Sequence, residues 1–127
     1  MKHRVLIVDD QRDTALVLQE YFVDNGLSAD VALNGSEAVG RCRTRKYDVL
    51  LVDFKLPDFD GVAVVEHCLE YLPNVRVIYL TGYDMQLKRH KSPVNPSRII
   101  EKPCRPAKIL ACIEDLLGNA PPGRTYS

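Results

Sequence analysis

The chain has 127 residues, of which 46% are hydrophobic and 27% charged, and its 17 lysines and arginines balance 17 aspartates and glutamates. This length suits a single domain, and the neutral balance argues against the basic surface that a nucleic-acid-binding protein usually carries. The longest aliphatic runs are far shorter than the roughly 20 residues of a membrane span, and no signal peptide is recognisable, so we expect a cytoplasmic protein that binds neither membrane nor nucleic acid.

Short β-rich runs alternate along the chain with amphipathic helical stretches. Strands are predicted at 4–8, 28–32, 48–52, 75–80 and 98–100, and helices at 13–25, from 34 onwards, at 62–72 and at 106–117. This alternation predicts an α/β fold, a doubly wound parallel sheet of five strands with helices on both faces. The order 2-1-3-4-5, which is that of flavodoxin-like three-layer α/β/α folds, is the one we expect.

Several helix ends carry recognisable signals. Gly26 is placed to end the first helix as a C′ residue. Asn34, with Glu37 three residues later, forms an Asx version of the capping box at the start of the second helix. Pro106 suits the first position of the last helix, but Arg105 before it is a poor N-cap. We expect a domain over residues 1–118 and a flexible tail over 119–127, because the tail has no periodic apolar face.

The four cysteines are scattered along the chain without a C-x-x-C pair. In a reducing compartment such cysteines stay as thiols, and buried structural thiols are more common than metal ligands. We therefore expect neither a disulfide nor a cysteine metal site at Cys42, Cys68, Cys104 and Cys112.

Three carboxylates follow two of the predicted strands. Asp9 and Asp10 come directly after strand one, and Asp53 comes directly after strand three. With the order 2-1-3-4-5 these strands are neighbours where the winding reverses, which is the crevice where such sheets bind ligands. Clustered carboxylates repel one another unless a hard divalent cation neutralises them, so the sequence predicts a site for Mg²⁺ or Mn²⁺.

A hydroxyl and an ammonium complete the polar set at the same edge. Thr81 follows strand four and Lys102 follows strand five. Either residue alone is ordinarily a turn hydroxyl or a solvated charge. Together with the carboxylates they suit the oxygens of a phosphoryl group on Asp53, because phosphoryl transfer depends on positioning and charge neutralisation.

At these residues the sequence is similar to the receiver domain of two-component response regulators. The segments VLIVDD, DVLLVDFKLPDFDG, VIYLTG and EKP occur in the order and spacing of that family, over about residues 3–118. The resemblance implies that Asp53 is the phosphoacceptor. It also implies that Asp10 and Asp53 bind Mg²⁺ through carboxylates, that Asp9 helps through water, and that Lys55 contributes its backbone carbonyl.

The resemblance assigns further roles along the same edge. Thr81 resembles the switch hydroxyl that bonds the phosphoryl group, and Lys102 the lysine that pairs with it. Lys102-Pro103 is similar to the cis peptide bond of the family. Gly82 matches a position kept small so that the phosphodonor can approach.

Two departures from the family pattern stand out. Ile99 occupies the place of the aromatic residue that swings inward when the threonine moves. The segment 85–98 contains Ser92-Pro93 and Asn95-Pro96, which disfavour helical angles, so we expect a fourth helix of about two turns there.

The sequence therefore favours a single-domain phosphoacceptor rather than a classical enzyme. The resemblance implies a histidine kinase as phosphodonor, and a histidine phosphotransfer protein as a further partner. The large side chains of Lys55 and Tyr83 beside the expected path of attacking water favour a long-lived phosphoryl group, as in a relay. We expect no DNA-binding output domain in these 127 residues, and a monomer or weak dimer.

Two alternatives remain open at this stage. A degenerate receiver would serve as a phosphorylation-independent interaction module, and Ile99 at the aromatic position is compatible with it. A haloacid-dehalogenase-like phosphatase also uses a nucleophilic aspartate after a strand, but it needs a second aspartate two residues later as general acid. That position holds Lys55, which cannot act as a general acid at neutral pH.

Overall fold

Five short aliphatic runs form one parallel sheet in the computed structural model, which describes residues 2–54, 56, 58, 60–82 and 97–118. The sheet order is β2-β1-β3-β4-β5, so the predicted fold and strand order are confirmed. The elements, in chain order, are β1 Arg4–Val8, α1 Arg12–Asp24, β2 Ser28–Ala32, α2 Gly35–Thr44, β3 Val49–Asp53, α3 Gly61–Tyr71, β4 Arg76–Thr81, β5 Ser97–Glu101 and α4 Pro106–Leu116.

The strands are apolar on both faces because helices cover both sides of the sheet. Leu6 and Leu50 belong to one core cluster with the buried residues of α2 and α3. Ile7 and Leu51 belong to a second cluster, with the buried residues of α1 and α4. Since successive side chains of a strand point to opposite faces, this division is that of a three-layer α/β/α domain.

Three strands, β3, β4 and β5, end one residue later than the sequence predicts. Asp53 is the last residue of β3 and Thr81 the last of β4, whereas both were expected to follow their strands. The extension comes from pairing: Asp53 is in register with Leu80 of β4, and Thr81 with Glu101 of β5. A neighbouring strand therefore sets these boundaries, which local sequence patterns cannot reveal.

The predicted helix signals are largely observed. Asn34 is the N-cap of α2, and its Oδ1 accepts a hydrogen bond of 2.9 Å from the Glu37 N–H. The return bond of the capping box differs, because the Glu37 carboxylate accepts from the Leu33 N–H instead of the Asn34 N–H. Gly26 has the expected positive φ of 91°. Arg105 gives α4 no side-chain cap, as predicted.

The four cysteines are free thiols. Cys42 and Cys68 are buried, as expected of structural cysteines, whereas Cys104 and Cys112 are only half-buried. The expectation of burial is therefore right for two of the four.

Two expectations fall outside the described ranges. The short helix predicted within 85–98 and the tail over 119–127 lie there, apart from residues 97 and 98, which belong to β5. Within the part of the chain that the structure describes, no helix has the length and apolar character needed to cross a membrane.

Candidate functional site

Three carboxylates meet at the carboxyl edge of the sheet. Asp9 and Asp10 directly follow β1, and Asp53 ends β3, which pairs with β1 in parallel register. One carboxylate oxygen from each lies within 4.8 Å of the other two. The predicted acidic cluster therefore exists, and it forms because neighbouring parallel strands end at the same height.

Asp9 is the buried member of the cluster. Its Oδ1 accepts a hydrogen bond of 2.9 Å from the Gln11 N–H. Its Oδ2 is also buried, but no described residue donates a hydrogen bond to it. Burial raises the pKa of this carboxyl, with smaller opposing effects from the Gln11 hydrogen bond and the Lys102 charge, and the charges of Asp53 and Asp10 raise it further.

Lys102 partly compensates this negative charge. Its Nζ donates a hydrogen bond of 2.9 Å to Asp53 Oδ2 and lies 4.0 Å from Asp9 Oδ2. Its backbone N–H donates to the Thr81 carbonyl at 2.7 Å, and its peptide bond to Pro103 is cis, as expected. The ammonium is therefore held against the carboxylate of Asp53 itself.

Thr81 ends the neighbouring strand β4, and Gly82 follows it. Thr81 is buried at the carboxyl end of β4, one position beyond the residue in register with Asp53. Gly82 is exposed, and a Cβ added there would meet no atom within 4 Å. The described fold therefore does not itself require glycine at position 82.

Gly61, to which the sequence analysis assigned no role, determines how closely the backbone packs against Asp53. Its N–H donates to the Phe54 carbonyl at 2.7 Å. A Cβ at this position would lie 2.8 Å from the Asp53 carbonyl oxygen and 2.9 Å from the Phe54 Cα. Both obstacles are backbone atoms, so only glycine fits without displacing the chain at Asp53. The Asp-Gly pair at the start of α3 was the available sequence signal.

Asp58, which sequence reasoning also missed, joins the chain after β3 to helix α2. Its Oδ1 accepts a hydrogen bond of 2.7 Å from the Gly35 N–H, and its Oδ2 accepts from the Ser36 N–H at 3.0 Å and from Ser36 Oγ at 3.1 Å. Desolvation is the largest single effect on this carboxyl and raises the pKa of Asp58, but the hydrogen bonds from Gly35 and Ser36 together hold the pKa below its ordinary value. No local pattern identifies a bond that spans more than 20 residues.

The residues of the cluster fit a hard divalent cation. Three carboxylates supply the oxygen ligands that Mg²⁺ and Mn²⁺ prefer, and the buried Asp9 Oδ2 has no hydrogen-bond donor within the described residues. The proposed backbone ligand Lys55 and the expected border residue Tyr83 lie outside the described residues.

An apolar cleft of about 670 Å³ opens beside the cluster. Gly82 and Lys102 border it, and its walls come from α1 and from the start of α4. Val17 on α1 is 58% exposed there. The cleft is large enough for part of another molecule to lie next to Lys102, whose ammonium contacts Asp53.

Ile99 stands on β5 in register with Tyr79 of β4 and is 57% exposed. The position is therefore a surface one, and the side chain that occupies it is aliphatic. The structure therefore places no aromatic side chain at the position where the receiver family has its aromatic switch residue.

Comparison with known proteins gives one consistent family. A sequence model of the response regulator receiver domain matches residues 5–114. A probable transcriptional regulator of Porphyra purpurea is 28% identical over 120 residues, which cover 92% of this chain and 57% of the relative. The sporulation initiation phosphotransferase F of Bacillus subtilis is 34% identical over 83 residues, which cover 65% of this chain and 67% of the relative.

Solved structures agree with this grouping. A Francisella response regulator receiver domain superposes with a TM-score of 0.80 at 26% identity, covering 92% of this chain and 98% of that one. The chain spans little more than half of the Porphyra regulator and 36% of an Escherichia coli transcriptional regulatory protein to which it is 33% identical.

Proposed function

We propose that this chain, which belongs to the family of response regulator receiver domains, accepts a phosphoryl group on Asp53. The observation that carries the proposal is the contact of Lys102 with Asp53 inside a cluster of three carboxylates. Receiver domains are signalling modules, so the chemistry proposed is limited to gaining and losing this one group.

The residues have separate roles in that chemistry. A carboxylate oxygen of Asp53 attacks phosphorus, a P–O bond forms, and the P–N bond of a phosphohistidine breaks. The imidazole of the donor keeps the bonding electrons and takes up a proton. Lys102, released from the Asp53 carboxylate, pairs with a phosphoryl oxygen, and the Thr81 hydroxyl donates to another.

A divalent cation would assist this transfer. Asp9, Asp10 and Asp53 would hold Mg²⁺ or Mn²⁺, with the Lys55 carbonyl as a further ligand by resemblance to the family. The cation supplies neutralisation of charge on the phosphoryl oxygens. The buried Asp9 Oδ2 without a hydrogen bond supports this assignment.

We propose a histidine kinase or a histidine phosphotransfer protein as phosphodonor, in the cytoplasm. The cleft supports a protein donor, because it places an apolar surface of α1 next to Gly82 and Lys102. The likeness to a phosphotransferase of Bacillus subtilis supports a relay, in which the group passes onward. We propose no direct binding of nucleic acid or membrane.

One observation favours the alternative of a degenerate receiver. Ile99 is exposed and aliphatic where the family places an aromatic switch residue, so phosphorylation would not move an aromatic ring there. The intact acidic cluster and the Lys102 contact favour phosphorylation instead.

Intact-mass measurement tests the proposal. The wild-type chain is incubated with acetyl phosphate and Mg²⁺, and we expect the mass of one added phosphoryl group, which disappears when the cation is chelated. Asp53→Asn removes the acceptor, while Asp24→Asn changes an exposed aspartate at the end of α1 as a matched control. Labelling of the Asp53 variant equal to that of wild type would refute the assignment.

A further inference from the structure

The described residues between β3 and the first turn of α3, which are Phe54, Leu56, Asp58, Asp60 and Gly61, are here called the 54–61 loop, and several of them are anchored. At its base the Gly61 N–H donates to the Phe54 carbonyl at 2.7 Å, and the Phe54 N–H donates to the Leu80 carbonyl at 2.9 Å. Leu56 packs against the core that α2 and α3 cover. The base of this loop is therefore part of the sheet edge that carries Asp53.

Asp58 anchors the outer part of the loop to a different element. Its carboxylate receives the N–H groups of Gly35 and Ser36, the first two residues of α2, and the hydroxyl of Ser36. Three hydrogen bonds to one carboxylate, at the positive end of a helix, make a strong local attachment even for an exposed side chain.

This attachment is separate from the ordinary cap of α2. Asn34, the N-cap, accepts a hydrogen bond from the Glu37 N–H, so an adjacent residue satisfies one of the free N–H groups at the start of α2. Asp58 comes after β3 in the chain, whereas α2 comes before it, and Asp58 is 22 positions away from Ser36. Asn34 therefore caps the helix, whereas Asp58 both caps the helix and holds the loop.

The described residues that follow Asp58 have contacts of their own that hold them in place. Asp60, two residues later, caps α3 by accepting from the Ala63 N–H at 2.7 Å. Gly61 follows, and its Cα lies so close to the Asp53 carbonyl that no Cβ fits between them. Asp58 therefore lies only three positions along the chain from Gly61, whose backbone packs directly against that of Asp53.

From this geometry we infer that Asp58 is a positioning residue, which holds the 54–61 loop against α2 so that Asp53 is oriented for cation binding and phosphorylation. The inference rests on the proposed function of Asp53. Loss of the link lets the loop move, and the oxygens of the acidic cluster must then be ordered when the cation binds. Removal of a residue that orients metal ligands from outside the ligand set typically changes metal affinity or activity by about 10-fold to 100-fold.

The test compares Asp58→Ala with Asn34→Ala. Both variants remove acceptors from the N-terminus of α2, but only the first releases the 54–61 loop. Calorimetric titration of each with Mg²⁺ gives the dissociation constant, and intact-mass kinetics with acetyl phosphate give the Mg²⁺ concentration at half-maximal rate. We expect Asp58→Ala to raise both about 10-fold, and Asn34→Ala to leave both within about twofold of wild type. Asp58→Asn, which keeps one carbonyl oxygen, should fall between wild type and Asp58→Ala.

A second readout does not depend on the cation. Hydrogen exchange of the Gly61 amide, which donates to Phe54, reports the base of the loop directly. It should accelerate in Asp58→Ala and stay at the wild-type rate in Asn34→Ala. If Asp58→Ala fails to fold, Asp58→Asn replaces it in the same comparison.

The outcomes separate the two proposals. Equal effects of Asp58→Ala and Asn34→Ala on metal affinity and on Gly61 exchange would overturn the inference, because Asp58 would then only cap α2. Absence of label on wild type would overturn the phosphoacceptor proposal instead, and the calorimetric and exchange comparisons would still decide the role of Asp58. Absence of Mg²⁺ binding by wild type as well would overturn both.

Discussion

Lys102 Nζ donates a hydrogen bond of 2.9 Å to Asp53 Oδ2, so the lysine neutralises the proposed acceptor before any phosphoryl group arrives. The Lys102 side chain is 32% exposed and that of Asp53 is 13% exposed. The same ammonium lies 4.0 Å from the buried Asp9 Oδ2. The Lys102 ammonium is therefore the counter-ion of two carboxylates, Asp53 and Asp9, and replacing it tests the charge balance of the site.

Replacing Lys102 with Met should slow phosphorylation by acetyl phosphate about 100-fold, because the charge that would pair with a phosphoryl oxygen is lost. The same variant should bind Mg²⁺ more tightly, because the three carboxylates lose their internal counter-ion. Mass spectrometry and calorimetry measure the two effects, with Lys102→Arg as the charge-conserving control. A Met variant that bound Mg²⁺ less tightly than wild type would contradict this account.

Replacing Asp9 with Asn should stabilise the protein measured without divalent cations, by about 1 to 3 kcal/mol, because a buried negative charge close to those of Asp53 and Asp10 is removed. The variant should bind Mg²⁺ more weakly, since one carboxylate of the cluster is lost. Urea unfolding with and without Mg²⁺ checks both statements. Asp10→Asn, at an exposed position, should stabilise much less. Destabilisation of Asp9→Asn without cations would be the opposite result.

Gly61→Ala should destabilise the fold by about 1 to 3 kcal/mol, because the added Cβ would lie 2.8 Å from the backbone of Asp53. Gly82→Ala is the matched control, since its Cβ meets nothing within 4 Å, and it should not destabilise. Alanine at position 82 reduces the conformational entropy of the unfolded chain, which raises the free energy of unfolding by up to about 1 kcal/mol. Thermal unfolding compares the pair. Equal destabilisation by the two substitutions would show that the packing at Gly61 has been misjudged.

Asp58 should make a pH-dependent contribution to stability. Its pKa is lowered from 3.8 in the folded chain, so the folded state binds the proton less readily than the unfolded state. Its stabilising contribution is therefore complete above pH 3.8 and is lost as the pH falls through the lowered pKa. Thermal unfolding of wild type and Asp58→Asn as the pH is lowered from neutral should show the difference between them shrinking only in this acid range. A difference that stayed constant there would contradict the prediction.

Much of the site could be predicted from the sequence because its elements are local. A strand buried on both faces is a continuous aliphatic run, and the carboxylates of Asp9, Asp10 and Asp53 come where such runs end. Parallel pairing of β1 with β3 then brings them together without any further information. The same reasoning placed Thr81 and Lys102 at this edge, each within one residue of a strand end.

The tertiary structure decided what depends on contacts between distant segments. Pairing among β3, β4 and β5 extended each of these strands by one residue at its carboxyl end, so that Asp53 and Thr81 lie inside the ladder. Lys102 bonds to Asp53, 49 positions away, and Asp58 bonds to Ser36 at the start of α2, 22 positions away. Both hydrogen bonds form because folding brings their donors and acceptors within 3 Å of each other. Hydrophobic periodicity and capping preferences act over a few residues, whereas these bonds and the tight packing of Gly61 exist only once the whole sheet has formed.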